Sequence, residues 1–154
     1  MTDVIAALKA STTLLEIKRA GYVIFRNESG NGSKGINNNY IGAQADSGRW
    51  PESFTGSFAG TVSGKENATH RSRIFLAFKS LQGNIDFLLD RVLSRGLYVG
   101  GLTHVVLTMK VENEDELARA YHKEWVTGSA ESEPSADEMA SFLSMYHQAT
   151  TLIS

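Results

Sequence analysis

The sequence has no cysteine and only 2 prolines among its 154 residues. Without cysteine the chain can form neither disulfides nor thiolate metal sites, so its stability must come from packing. It also lacks any apolar run of the roughly 18 residues that a membrane-spanning helix needs. The first nine residues do not place a long apolar core after a basic segment. We therefore expect no secretory signal, and a chain made in the cytoplasm.

An excess of either charge is missing as well, since 15 basic and 17 acidic residues give a net charge of −2. Nothing in this balance favours nucleic acid or an anionic membrane, so we predict neither as a partner. The hydrophobic content of 42% is enough for a core, and the length fits one domain. We expect a single domain over residues 1–154 whose oligomeric state the sequence leaves open.

Several kinds of functional site have no support in the sequence. The four histidines are not spaced as metal ligands: His70, His104, His122 and His147. Ser29 is not in a Gly-x-Ser-x-Gly motif, which argues against a serine hydrolase. The Gly-Asn-Gly at 30–32 follows no strand and precedes no Gly-Lys-Ser, which argues against a phosphate loop. We therefore predict no metal and no cofactor.

Two helices are predicted before residue 30. Thr2 is a candidate N-cap for a short first helix, and Thr13 with Glu16 has the spacing of a capping box. The helix that Thr13 opens should run to about Asn27. Its second half is apolar all round, which is typical of a helix buried on every side.

From Ser29 to about His70 the composition is rich in Gly, Ser and Asn and without helical periodicity, and we predict a separate lobe over about 31–78. Strand-like stretches at 53–62 and 68–78 flank a plausible hairpin turn at 64–67. One interpretation of this stretch is a flexible linker. Large apolar residues argue against a linker and favour a small β-containing lobe: Tyr40, Ile41, Trp50, Phe54 and Phe58.

The remainder of the chain is predicted to be mainly helical. Ser80 should cap an amphipathic helix that stops at Gly96, while 97–111 is ambiguous and favours helix over strand. Asn113 should start a helix that ends at Gly128 and carries Leu117, Tyr121 and Trp125 on one face. Ser135 and Glu138 predict a second capping box, opening a last helix whose inward residues are Met139, Phe142, Leu143 and Tyr146. The fold class is therefore α+β, with the strands in one lobe.

Glu28 is the first candidate catalytic residue. Ile17, Gly21, Ile24 and Glu28 are spaced four, three and four residues apart and share one helix face. Glu28 therefore lies on the apolar helix face that should be buried. Desolvation there should raise its pKa, as a general acid requires. The alternative is a helix-terminal glutamate that simply reaches water.

Segments around Glu28 resemble the family 73 glucosaminidases, which are lysozyme-like peptidoglycan hydrolases that include the flagellar muramidase domain. Asn-Glu-Ser-Gly-Asn-Gly at 27–32 is similar to that family's Glu-Ser-Gly-x-Gly helix end. Asn-Tyr-Ile-Gly-Ala-Gln-Ala at 39–45 is similar to its Asn-aromatic-aliphatic-Gly segment. Phe-Leu-Ala-Phe-Lys-Ser at 75–80 and Arg-Gly-Leu-Tyr at 95–98 resemble the entry and end of its next helix. A looser match lies at 122–128, so the resemblance covers roughly Glu16 to Trp125.

The resemblance implies a lysozyme-like fold, with a cleft between the two lobes, and a glycoside hydrolase that uses Glu28 as general acid. The chain differs from the family at Asn31, where tryptophan is usual, and at 60–62, where Gly-Thr-Val replaces a segment that carries a second acid. Asp46 is our first candidate for the second carboxylate, and a solvated turn residue is its alternative. Two other routes are attack by the substrate's own N-acetyl group and attack by a sugar hydroxyl, as in a lytic transglycosylase.

Aromatic rings and amides are the groups that hold sugars, and each aromatic side chain has a core alternative. The predicted substrate-binding residues are Asn39, Tyr40, Gln44, Trp50 and Tyr98. Trp125 also supplies a ring, but its position on the Leu117 and Tyr121 face favours the core.

The expected partner is the peptidoglycan glycan strand, reached after release or delivery by a phage or a secretion machine. The alternative functions are a catalytically silent lysozyme-like module that binds glycan or acts structurally in such a device, and a cytoplasmic helical interaction protein.

Overall fold

The computed structural model describes residues 1–45, 50–65, 70–95 and 114–154. Five α-helices and one antiparallel pair of strands are seen in these residues, which confirms the α+β class. The elements in chain order are α1 (Thr2–Ala10), α2 (Leu15–Ser29), a 3-10 helix (Glu52–Ser57), β1 (Phe58–Lys65), β2 (Ser72–Phe78), α3 (Leu81–Asp90), a π-helix (Arg91–Arg95), α4 (Glu114–Tyr121), a second π-helix (His122–Thr127) and α5 (Ala136–Leu152).

Helix α2 is the centre of the structure and contacts α1, α3 and α5. Its residues Ala20, Val23, Ile24 and Phe25 are fully buried, as the apolar run predicted. At Gly21 the backbone comes so close to α3 that a Cβ atom would overlap Cδ2 of Leu89. The glycine therefore sets the distance between these two helices.

Two of the predicted N-caps are wrong and two are confirmed. Thr2 lies inside α1, and α2 begins at Leu15 with no side-chain cap, so Thr13 and Glu16 form no capping box. Ser80 does cap α3, because its Oγ accepts a hydrogen bond of 3.1 Å from the backbone N–H of Gly83. Ser135 and Glu138 form the predicted capping box at the start of α5.

The strands pair from Phe58 opposite Phe78 to Lys65 opposite Ser72. The prediction of a strand from 53 was wrong, because Glu52–Ser57 forms a 3-10 helix and the strand begins only at Phe58. An irregularity follows Phe58, where Gly60 has φ 132°, a value that favours glycine. The predicted turn residues Glu66 and Asn67 lie outside the described residues.

An aromatic cluster fixes the sheet against α3. Its members meet edge to face with ring centroids between 5.4 and 6.0 Å apart: Phe54, Phe58, Phe78 and Phe87, with Trp50 against Phe58 at 5.7 Å. Edge-to-face pairs add to the free energy of burying these rings. The interpretation of this stretch as a flexible linker is therefore wrong for the described part of it.

The C-terminal helices follow the predicted pattern in part. Leu117 and Tyr121 of α4, with Phe142 and Tyr146 of α5, are buried. Gly128 ends the second π-helix in the left-handed conformation, as the helix stop predicted. Residues 96–113, with the predicted stop at Gly96 and start at Asn113, lie outside the described part. In the described ranges no helix has the length and apolar character that a membrane crossing requires.

Candidate active site

Glu28 lies in the last turn of α2, directly before the buried Ser29. The helix ends because Gly30 adopts a left-handed conformation with φ 55°. Ile17 and Ile24, on the same face of α2, are buried, with 3% and 0% of their surface exposed. The shared face therefore directs the Glu28 carboxyl group toward the protein, and the side chain is half-buried instead of free in water.

Two aromatic side chains from the C-terminal half of the chain hydrogen bond to Glu28. The hydroxyl of Tyr121 donates to Oε1 of Glu28 at 3.0 Å. The indole of Trp125 donates a second hydrogen bond to the same carboxyl group. Both groups remain donors, because indole N–H only donates and the Tyr121 hydroxyl stays protonated.

Burial raises the pKa of Glu28 above its ordinary value, and the hydrogen bonds from Trp125 and Tyr121 oppose this shift. The outcome is a carboxyl group that holds its proton to a higher pH than a solvated glutamate. Burial, together with the nearby charge of Glu28, also raises the pKa of Tyr121 well above its usual range. The predicted rise in the pKa of Glu28 is thus confirmed, and its main cause is the expected desolvation.

Trp125 lies in the π-helix at His122–Thr127. Tyr121 is the last residue of α4, and the wider π turn follows it immediately. A π turn changes the direction of the next side chains relative to an α-helix and often marks a functional site. Trp125 keeps one side of its ring against the core, as predicted, and also reaches Glu28.

Ser29 joins the end of α2 to the loop that follows. Its Oγ donates to the carbonyl of Phe25 at 2.5 Å and accepts from the N–H of Gly32 at 2.7 Å. Asn31 is also left-handed, with φ 59°, and its side chain accepts from Nε of Arg26 at 2.7 Å. The Glu-Ser-Gly-Asn-Gly segment therefore folds as a helix stop that fixes the backbone on both sides of Ser29.

Asn39 has a structural role that the sequence interpretation missed. Its amide N–H groups donate to the carbonyls of Ala43 and Leu76, both at 2.9 Å, and its amide oxygen accepts from the N–H of Ala43 at 3.0 Å. With 6% exposure, Asn39 is buried and both amide hydrogens are used. It connects the 39–43 loop to β2, and this network leaves no amide hydrogen for the predicted sugar contact.

The other predicted binding residues that the structure describes lie in three different places. Tyr40 is half-buried and packs on Phe25, with ring centroids 5.4 Å apart, near the end of α2. Gln44 pairs with Phe75 at an isolated β-bridge beside the sheet. Trp50 belongs to the aromatic cluster. Asp46 and Tyr98 lie outside the described residues.

Within the described ranges, no second carboxylate affects the pKa of Glu28. Glu52 and Glu66 are the carboxylates on either side of 60–62, where the family carries its second acid. Glu52 is exposed in the 3-10 helix, and Glu66 lies outside the described part. The same ranges hold no group of three or more His, Asp or Glu side chains that could bind a metal ion. The described site is thus a single carboxyl group with two aromatic donors.

A cavity of about 340 Å³ adjoins Tyr121. Asn27 and Tyr121 both line it, and the Asn27 side chain hydrogen bonds to Tyr121. Residues from the first turns of α5 line it as well, including Asp137, Glu138 and Phe142. One residue of the candidate site, Tyr121, therefore contacts both Glu28 and this cavity.

No protein-family model, curated protein or solved structure matches the chain. The resemblance to family 73 glucosaminidases stays a prediction that rests on the sequence motifs.

Proposed function

We propose that the protein is a lysozyme-like hydrolase of peptidoglycan glycan strands in which Glu28 is the general acid. The observation that carries the proposal is the environment of Glu28. A half-buried carboxyl group at a helix end has its pKa raised by desolvation, and two neutral donors fix its orientation. A general acid for glycoside cleavage needs a proton that is retained near neutral pH and held in a defined place.

In the proposed reaction, Glu28 gives its proton to the leaving glycosidic oxygen as the bond to the anomeric carbon breaks. The carboxylate left behind is stabilised by the Tyr121 and Trp125 donors, whose hydrogen bonds favour the charged form. These donors therefore help the acid to release its proton, while burial helps the acid to keep it beforehand. The balance of the two sets the working pH.

The second role, at the anomeric carbon, has three candidates. Asp46 would activate a water or stabilise charge, the substrate's N-acetyl group would attack internally, or a sugar hydroxyl would attack and give an anhydro product. Asp46 lies outside the described residues, so the three routes stay open.

Mass spectrometry of fragments released from purified cell walls tests the proposal and separates these routes. Reducing-end N-acetylglucosamine would identify a glucosaminidase, reducing-end muramic acid a muramidase, and anhydro-muramic ends a transglycosylase. The Asp46→Asn variant completes the test, because only the first route requires that carboxylate. Release of none of these fragments would contradict the proposal.

The sequence at 60–62, where Gly-Thr-Val replaces the segment that carries the family's second acid, favours one alternative, a catalytically silent glycan-binding or structural module of a phage tail or secretion device. Such a module would sediment with cell walls and release no fragments. A helical interaction protein of the cytoplasm would do neither, so co-sedimentation separates the two.

A further inference from the structure

The hydroxyl of Tyr121 contacts two neighbouring side chains of α2. It donates to Oε1 of Glu28 at 3.0 Å. The side chain of Asn27, the residue before Glu28, hydrogen bonds to the same hydroxyl. Asn27 is exposed in the last turn of the helix. One hydroxyl group therefore joins the candidate acid to a neutral amide.

The amide of Asn27 is the donor in its bond to Tyr121. This bond lowers the pKa of Tyr121, which is the effect that a donor has on a phenol oxygen. Burial and the charge of Glu28 outweigh it, so the hydroxyl keeps its single proton. The amide hydrogen occupies the phenol oxygen, and the phenol proton goes to Glu28. The three groups form a chain in which each hydrogen bond polarises the next one.

The ring of Tyr121 is fixed by packing, whereas its hydroxyl group can rotate. The residue is buried, and its ring packs on Phe142 with centroids 5.5 Å apart. Rotation about the bond between the ring and the oxygen moves only the hydroxyl proton. The direction of this proton therefore depends on the hydrogen bonds that the oxygen makes.

The cavity of about 340 Å³ offers the Tyr121 proton a second direction. Asn27 and Tyr121 both line this cavity, and its volume admits water, which accepts hydrogen bonds. Its other titratable lining residues are His122, Asp137 and Glu138. None of these three is a cause of the pKa shift of Glu28. The link between the cavity and the candidate acid therefore runs through the hydroxyl of Tyr121.

We propose that Asn27 is a positioning residue, whose amide directs the hydroxyl proton of Tyr121 to Glu28 instead of to the cavity. The role rests on the proposed function, in which Tyr121 stabilises the carboxylate that remains after proton transfer. Asn27 acts through Tyr121, so its effect on Glu28 requires the Tyr121 hydroxyl.

Carbon-13 NMR of the full chain, labelled at the glutamate carboxyl carbons, measures the pKa of Glu28 directly, and Glu28→Gln assigns its signal. Asn27→Ala should raise this pKa, because a less well directed donor stabilises the carboxylate less. A direct hydrogen bond to a carboxylate changes its pKa by about one unit and Asn27 acts through one intermediate group, so we expect a rise of at least about 0.3 pH units. Alanine is the better helix former, so the variant should fold.

A double-mutant cycle with Tyr121→Phe shows whether the effect passes through the hydroxyl. Tyr121→Phe should raise the pKa of Glu28 at least as much as Asn27→Ala, and the double variant should show no further rise. Gln148→Ala is the control, since it removes another exposed amide, one that bonds to Arg26 at the same end of α2. No rise with Asn27→Ala, an undiminished rise in the Tyr121→Phe background, or an equal rise with Gln148→Ala would overturn the inference.

Lysis of cell walls separates this inference from the proposed function. If the wild type lyses walls, the alkaline limb of the pH profile of Asn27→Ala should move by the amount that the NMR titration gives for the pKa. Absence of lysis by the wild type would refute the hydrolase, while the NMR cycle would still decide the role of Asn27. An active enzyme whose Glu28 pKa is unchanged by Asn27→Ala would refute only the positioning role.

Discussion

The hydroxyl of Tyr121 donates a 3.0 Å hydrogen bond to Oε1 of Glu28 across 93 residues of sequence. This contact joins the end of α2 to the end of α4 at the candidate acid. Because it stabilises the charged form, it lowers the pKa of Glu28 against the larger effect of burial. The pKa of Glu28 therefore depends on its hydrogen-bond donors as well as on the burial of its carboxyl group.

Removing either donor should move the alkaline limb of the activity profile to higher pH. A general acid fails when it loses its proton, and without a donor the pKa of Glu28 rises further. Trp125→Phe should shift the limb more than Tyr121→Phe, since the indole has the larger effect on the pKa. The pH dependence of wall lysis measures this, and Tyr146→Phe, in the buried face of α5, should leave it unchanged. A shift to lower pH would contradict the assignment.

Glu28→Gln should make the folded protein more stable at neutral pH. Because the folded pKa is raised, protonation of Glu28 stabilises the fold at low pH, and this contribution is lost as the pH rises through the folded pKa. Glutamine does not titrate, so the variant does not lose this contribution to stability as the pH rises. Urea unfolding should show a gain for the variant at pH 8 that disappears near pH 4. A gain that is the same at both pH values would indicate a different cause.

Gly21→Ala should destabilise the protein although alanine is the better helix former. The added Cβ overlaps Cδ2 of Leu89, which is 1% exposed and has little room to move. Overpacking of this kind costs about 1–3 kcal/mol, more than the gain of up to about 1 kcal/mol in helix propensity. Denaturant unfolding measures the difference. Gly56→Ala is the control, because nothing lies within 4 Å of its Cβ position.

Asn39→Ala should destabilise the fold by about 2–4 kcal/mol, because three hydrogen bonds to buried or half-buried backbone are lost together. Asn37→Gly is the matched control. Asn37 and Asn38 are the central residues of a tight turn between Ile36 and Asn39, and both have positive φ, which glycine accepts. If thermal and urea unfolding show equal losses for the two variants, Asn39 does not have the proposed structural role.

The sequence was most informative where the physical cause is local. The spacing of Ile17, Gly21, Ile24 and Glu28 predicted a partly desolvated carboxyl group, because an α-helix aligns these positions. The capping box at Ser135 was found for the same reason. At Thr13 the local pattern failed, since Leu14 is at the N-cap position and α2 begins one residue later than predicted, at Leu15.

Long-range contacts could not be predicted in this way. The amide of Asn39 hydrogen bonds to Leu76, 37 residues away, and no local pattern separates this from an exposed amide. Trp125 was assigned to the core because Leu117 and Tyr121 share its helix face. Its indole also acts on Glu28, and the polar N–H of a partly buried tryptophan was the one available signal.

The most direct test of the central claim is the loss of turbidity of purified cell walls at neutral pH with wild type, Glu28→Gln and Glu16→Gln. Glu16 is exposed at the other end of the same helix, so its variant controls for the loss of a carboxylate from α2. We predict lysis by the wild type and by Glu16→Gln, and a rate at least about 100-fold lower for Glu28→Gln. Equal lysis by all three proteins, or binding to walls without lysis by the wild type, would contradict the role of Glu28 as general acid.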